Sequence, residues 1–264
     1  MLQHIACEPP GAYEDELRAW GAELQRVQLG DGESLPGWRD FDGIVAMGGP
    51  MGAYDDQALP WLRAEKRLIA DAVRAGTPFW GVCLGAQLLA ASLGARVQPG
   101  RRPEIGMLTV KLTAQAGNDP VFSILPDEFP ALQWHGDTYE LPAGAVQLAY
   151  SDAYEQQAFV VNRAYALQFH LEVDANLAGQ WADVPAYASS LEAVLGDGAL
   201  PRLLGEVDAR QYETTRLARR LFAAWLEHVV GLDPKPGLPA DGRQPGNPAR
   251  ARERPARHRR RLDR

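Results

Sequence analysis

Along the first hundred residues, short apolar runs alternate with amphipathic stretches. "LQHIACE" (2–8) reads as a strand, "YEDELRAWGAEL" (13–24) as a helix with one apolar face, and "RVQL" (26–29) as a second strand. "FDGIVAMGGP" (41–50) is a buried strand that runs into a glycine turn. "QALPWLRAEKRLIADAVRAG" (57–76) is a helix stopped by Gly76, "TPFWGV" (77–82) another buried strand, and "CLGAQLLAASLGA" (83–95) another helix. Strand and helix in strict alternation predict right-handed crossovers and an α/β fold with a mostly parallel open sheet, helices on both faces. The rhythm then changes. "MLTVKLT", "QWHGDTYEL", "AVQLAYS", "QQAFVVN" and "AYALQFHLE" are short strands separated by turns, which predict a small antiparallel extension. From Asp174 the pattern is helical, with Trp181, Tyr187, Leu191 and Leu195 on one periodic face, and a last helix lies near 209–230.

Composition divides the chain at Gly231. Residues 231–264 contain six prolines, nine arginines and one lysine against four acids. So few large apolar side chains cannot offset the entropy of ordering, and a disordered basic tail is expected, with residues 1–230 forming the domain. The chain carries −7 overall, so the body carries −13 against +6 on the tail. An acidic body disfavours nucleic acid as a partner, and the tail reads as a solvated segment. No apolar run approaches the roughly 18 residues of a membrane span, and the first residues lack the basic-then-apolar pattern of a leader. With only Cys7 and Cys83, a cytoplasmic protein without a disulfide is expected. No His/Cys pairs fall at metal-ligand spacing, and no phosphate loop is present, so neither metal nor cofactor is called for.

The chemistry concentrates in "PFWGVCLGAQLL" (78–89), which places Cys83 between Gly81 and Gly85 where a strand hands over to a helix. Flanking glycines let the backbone turn sharply, and a helix N-terminus favours a thiolate. The same turn aims the N–H of Leu84 at the point where an oxyanion would form. Taken alone, the pattern fits a thiol nucleophile and a small buried structural cysteine about equally. A nucleophile needs a base. His258 lies in the tail, His228 among surface residues of the last helix, and His4 inside the first strand as a packed or edge residue, which leaves His135 and His170. Glu172 follows His170 by two positions, and on a strand both side chains share a face. The carboxylate can then hold one ring nitrogen and leave the other for the thiol. By itself this is as well read as a satisfied histidine beside a surface acid; beside the elbow, the catalytic reading is the better one. His135 ranks behind it, because no carboxylate stands two residues away and Asp137 lies past a glycine.

"GVCLGAQ" followed by "FHLEV" about ninety residues later resembles the class I (triad-type) glutamine amidotransferase family. "GIVAMGGPMGAYDD" looks like that family's oxyanion strand, "QWHGDTYELPAGA" like its glutamine-pocket loop, and "EIGM" like its Glu-x-Gly segment. The nearest likeness is to stand-alone proteins similar to the amidotransferase domain of GMP synthase, over residues 1–230. Leu171 departs from the proline many members place between the His and the Glu, which leaves both side chains in place. The resemblance implies a flavodoxin-like class I glutamine amidotransferase fold and a Cys83–His170–Glu172 triad that releases ammonia from glutamine through a thioester. Gly49 and Leu84 would hold the oxyanion. Gln87, Met51, Trp134 and Gly136 would contact the substrate, with His135 at the periphery of the site. It also implies a separate ammonia-accepting synthetase. A free-standing hydrolase of another γ-glutamyl amide is the alternative, as is a non-catalytic regulatory protein that keeps the fold. An α/β-hydrolase elbow is disfavoured by the order Cys…His-x-Glu.

Overall fold

The computed structural model describes residues 1–234, so all but the first four residues of the basic segment, His258 among them, lie outside the described residues. Nine strands form one sheet: β1 (Leu2–Gln3), β2 (Val27–Gln28), β3 (Ile44–Ala46), β4 (Phe79–Val82), β5 (Val97–Leu112), β6 (Glu128–Tyr139), β7 (Val146–Tyr150), β8 (Ala158–Val161) and β9 (Ala164–Leu167). Their order is β2-β1-β3-β4-β9-β8-β7-β5-β6. The first five in that order run parallel, and β8, β7, β5 and β6 continue the sheet antiparallel. The extension is thus four strands, dominated by the long β5–β6 hairpin.

Among the described residues, six α-helices cover the sheet: α1 (Ala12–Trp20), α2 (Pro60–Arg74), α3 (Leu84–Ser92), α4 (Ala175–Trp181), α5 (Pro185–Leu195) and α6 (Leu200–Trp225). Alternation along the central strands builds two cores. On β9, Tyr165 and Leu167 join Trp80, Tyr13, Phe222 and Trp225 on one face, while Ala164 and Ala166 join Phe79, Leu62, Ile69 and Leu88 on the other. A third cluster packs α4, α5 and the start of α6 against β5 and β6, with Trp134, Trp181, Tyr187 and Leu191 at its centre.

Three expectations are corrected. The first strand stops at Gln3 rather than running to Glu8: His4 and the residues after it turn out of the sheet, and His4 is fully buried. The 13–24 helix ends at Trp20, because Gly21 takes a left-handed φ of 71° and closes the last turn. The last strand ends at Leu167, so His170 and Glu172 lie beyond it, and the premise that they share a strand face does not hold. Instead His170 makes one isolated bridge to Leu132 of β6, donating N–H at 2.9 Å and accepting at 3.0 Å. The helical face foreseen after Asp174 is real, but it is assembled from two helices, α4 and α5.

Candidate active site

The segments that leave the carboxyl ends of β3 and β4 open onto a cleft of about 350 Å³, the usual place for a site in an open α/β sheet, and β5, β6 and α5 supply its other walls. Cys83 sits between β4 and α3 at φ 52° and ψ −106°, a conformation that costs a non-glycine residue energy and persists only where the surroundings enforce it. The enforcement is visible. The Cys83 N–H donates to Leu167 O at 2.7 Å, and its carbonyl accepts from Ala86 and Gln87 in the first turn of α3. A Cβ on Gly81 would lie 2.6 Å from Gly85 O, and one on Gly85 would press into the Ala46 carbonyl. The two glycines therefore let α3 start against β3 and β4, which lifts the sulfur to the cleft.

The structure brings Cys83, His170 and Glu172 together. Glu172 Oε1 is 2.7 Å from His170 Nδ1, and its other oxygen accepts the Leu171 N–H at 3.0 Å. Both side chains are buried, and Trp181 packs edge-on against the imidazole at 4.7 Å. Burial alone would strip the proton from His170, but the Glu172 carboxylate, aided by the neighbouring Cys83 sulfur, outweighs it and raises the pKa well above an ordinary histidine's. The ring thus holds its proton readily beside the sulfur. Gly49, Met51, Gln87, Trp134, His135 and Gly136 all line the cleft with Cys83. Among the described residues, the backbone N–H groups of Gly49 and Leu84 have no acceptor.

His135 does have a carboxylate partner, contrary to the expectation from its neighbours in sequence. Glu104, 31 residues away on β5, lies 3.1 Å from Nε2, and Nδ1 donates to Asp137 O at 2.9 Å. Both ring nitrogens are therefore engaged, whereas His170 spends only Nδ1 on its glutamate. Glu104 also accepts from Ser151 at 2.8 Å and Gln157 at 2.6 Å, which makes it the hub of a buried network.

Sequence reasoning missed three residues. Gln168 links the site internally: its Nε2 donates to Cys83 Sγ at 3.6 Å and its Oε1 accepts from Gln87 at 3.2 Å. Its signal was a lone glutamine inside the apolar run "YALQFHLE". Glu8, fully buried, accepts the Tyr187 hydroxyl. Its pKa is raised by burial, with His170, Tyr187 and His4 tempering the rise. Tyr187 lines the cleft from α5. Nothing local marks either one.

A family model described as glutamine amidotransferase class-I matches residues 13–181. The chain is 32% identical over 177 residues to a glutamine amidotransferase-like protein, YfeJ, of Salmonella typhimurium, spanning 65% of this chain and 74% of that one. It is 36% identical over 132 residues to a GMP synthase [glutamine-hydrolyzing] of Thermomicrobium roseum, which is 50% of this chain but only 23% of that protein. Among solved structures, a glutamine amidotransferase from Thermotoga maritima is similar with a TM-score of 0.76 and 34% identity, covering 87% of this chain and 96% of that one.

Proposed function

Since the chain belongs to the class I glutamine amidotransferase family, we propose that it hydrolyses the side-chain amide of glutamine through a Cys83 thioester. The meeting of the strained Cys83, which lines the cleft, with the buried His170–Glu172 pair beside its sulfur carries this reading. The Cys83 thiolate adds to the amide carbon, and the N–H groups of Gly49 and Leu84 hold the resulting oxyanion. His170, kept protonated by Glu172, gives its proton to the amide nitrogen; the C–N bond breaks and ammonia leaves. Neutral His170 then takes a proton from water, hydroxide adds to the thioester, and glutamate departs as the thiol is restored. Gln168 steadies the sulfur and Gln87. Met51, Trp134 and Gly136 line the part of the cleft that would hold the amino-acid end of the substrate.

The ammonia acceptor is a separate synthetase in this reading, supported by the likeness to one segment of a GMP synthase. In a second reading, cleavage of another γ-glutamyl amide without a partner, the substrate would meet the polar cleft wall of Tyr54, Asp55 and Asp137, where Tyr54 donates to Asp137 at 3.3 Å. The deciding assay is ammonia and glutamate release from glutamine, beside a panel of γ-glutamyl amides, for wild type and Cys83→Ala. Release by wild type alone is expected; equal release by both proteins would sink the mechanism. Labelling of Cys83 but not Cys7 by a glutamine-analogue electrophile, without turnover, would indicate a partner-activated subunit, and no labelling would favour a non-catalytic protein.

A further inference from the structure

His4 leaves β1 to become a fully buried side chain with both ring nitrogens in use. Nδ1 lies 3.0 Å from Gly48 O, and since a carbonyl only accepts, Nδ1 is the donor. Nε2 lies 3.0 Å from Glu65 Oε1, 61 residues away on α2, and Glu65 is fully buried too. The ring stacks on Trp61, centroids 5.8 Å apart and planes 18° from parallel. The second oxygen of Glu65 has no partner among the described residues, so this buried carboxylate is directed at His4. Neither His4 nor Glu65 lines the cleft.

From this arrangement we infer that His4 and Glu65 are a positioning pair that locks the Gly48–Gly49 peptide with its N–H turned toward Cys83. The inference rests on the reading that Gly49 supplies an oxyanion donor. The peptide is trans, so its C=O and N–H point in opposite directions. A carbonyl tied to His4 on one side aims the Gly49 N–H the other way, into the cleft that Gly49 lines. Gly48 lies beside the nucleophile, where a Cβ would stand 3.5 Å from that of Cys83. Two consecutive glycines present no side-chain barrier to rotation of the peptide between them, so its orientation must be held from outside. Burial opposes a charge on His4, but Glu65 outweighs it and raises the histidine's pKa, which favours the form in which both nitrogens donate. In that form the donor on the carbonyl also polarises the peptide and strengthens donation from its N–H.

The test compares two reactions of the same thiol in the full chain, read as mass changes on the Cys83 peptide. In acylation by p-nitrophenyl acetate, sulfur adds to the ester carbonyl, an oxyanion forms, and p-nitrophenolate leaves. In alkylation by iodoacetamide, sulfur displaces iodide at a saturated carbon and no oxyanion arises. Losing one oxyanion donor typically costs about 10²–10³-fold, so a loosened peptide in His4→Phe or Glu65→Gln is expected to slow acylation about 10- to 100-fold. Alkylation should stay within about twofold of wild type, because the thiol itself is untouched. Unchanged acylation, or equal losses in both reactions, would overturn the inference. Glu65→Gln preserves shape and covers the case in which His4→Phe fails to fold. Should wild type prove inert toward glutamine while the acylation-to-alkylation ratio still drops in the variants, the hydrolase reading fails and the peptide lock stands.

Discussion

Two halves of one sheet each carry a buried histidine–glutamate pair, and the two differ in what surrounds the ring. In the parallel half, His170 and Glu172 lie 2.7 Å apart just past β9, with one imidazole nitrogen left over beside the Cys83 sulfur. In the antiparallel half, His135 and Glu104 lie 3.1 Å apart across β5 and β6, and the second nitrogen is already bound to a backbone carbonyl. The pairs are chemically alike. What separates them is whether a nitrogen remains to exchange a proton, and that is a matter of what surrounds the ring.

The sharpest way to break this comparison is to remove each histidine in turn. General acid–base groups contribute about 10²–10⁴-fold. His170→Ala is therefore expected to lower kcat for ammonia release by about 10³-fold, while His135→Ala lowers it by less than about 10-fold. Comparable losses in steady-state assays would erase the distinction between the two pairs. Glu172→Gln stands beside His170→Ala, with a loss of up to about 10⁴ in kcat, since an amide can hold the ring in the wrong tautomer and no longer stabilises its charged form. Glu104→Ala reverses the balance between the halves: it removes the acceptor that His135, Ser151 and Gln157 share in the interior, and each buried polar group left short of a partner costs about 1–3 kcal/mol. Chemical denaturation should show that loss even where activity per folded molecule survives.

The smallest expected effect concerns pH and the third pair, His4 and Glu65. His4 has a folded pKa raised above the roughly 6.5 of an unfolded histidine, so its contribution to stability is fully present below that value and is lost as pH rises through the folded pKa. The stability gap between wild type and Glu65→Gln should thus be widest in mildly acidic buffer and narrow on the alkaline side. A gap that widens with pH would mean that His4 is buried neutral.

Legibility in the sequence followed the range of the contacts. From β3 to α3 the parallel half could be read well, because the elements there are bounded by local signals: Pro60 opens α2, Gly76 closes the turn that follows it, and Gly81 and Gly85 frame the elbow. His170 and Glu172 were found because they are two residues apart, although the strand geometry used to join them was absent and a bridge to Leu132 takes its place. Glu104 for His135, Glu65 for His4 and Tyr187 for Glu8 stand 31, 61 and 179 residues from their partners. No periodicity or turn chemistry encodes such a pairing; it arises only when the sheet closes and α2 and α5 pack on it.

By itself the sequence determined the alternation of elements, the elbow that lifts Cys83, and the closeness of His170 to Glu172, since these depend on residues within a few positions of one another. Tertiary structure alone decided which histidine keeps a free nitrogen and which way the Gly48–Gly49 peptide faces. It also decided that α5, beyond the span matched by the family model, supplies a wall of the cleft. The physical reason is that hydrogen bonds in a buried site are allotted by which groups meet once water is excluded, and a chain cannot settle that allotment before it folds.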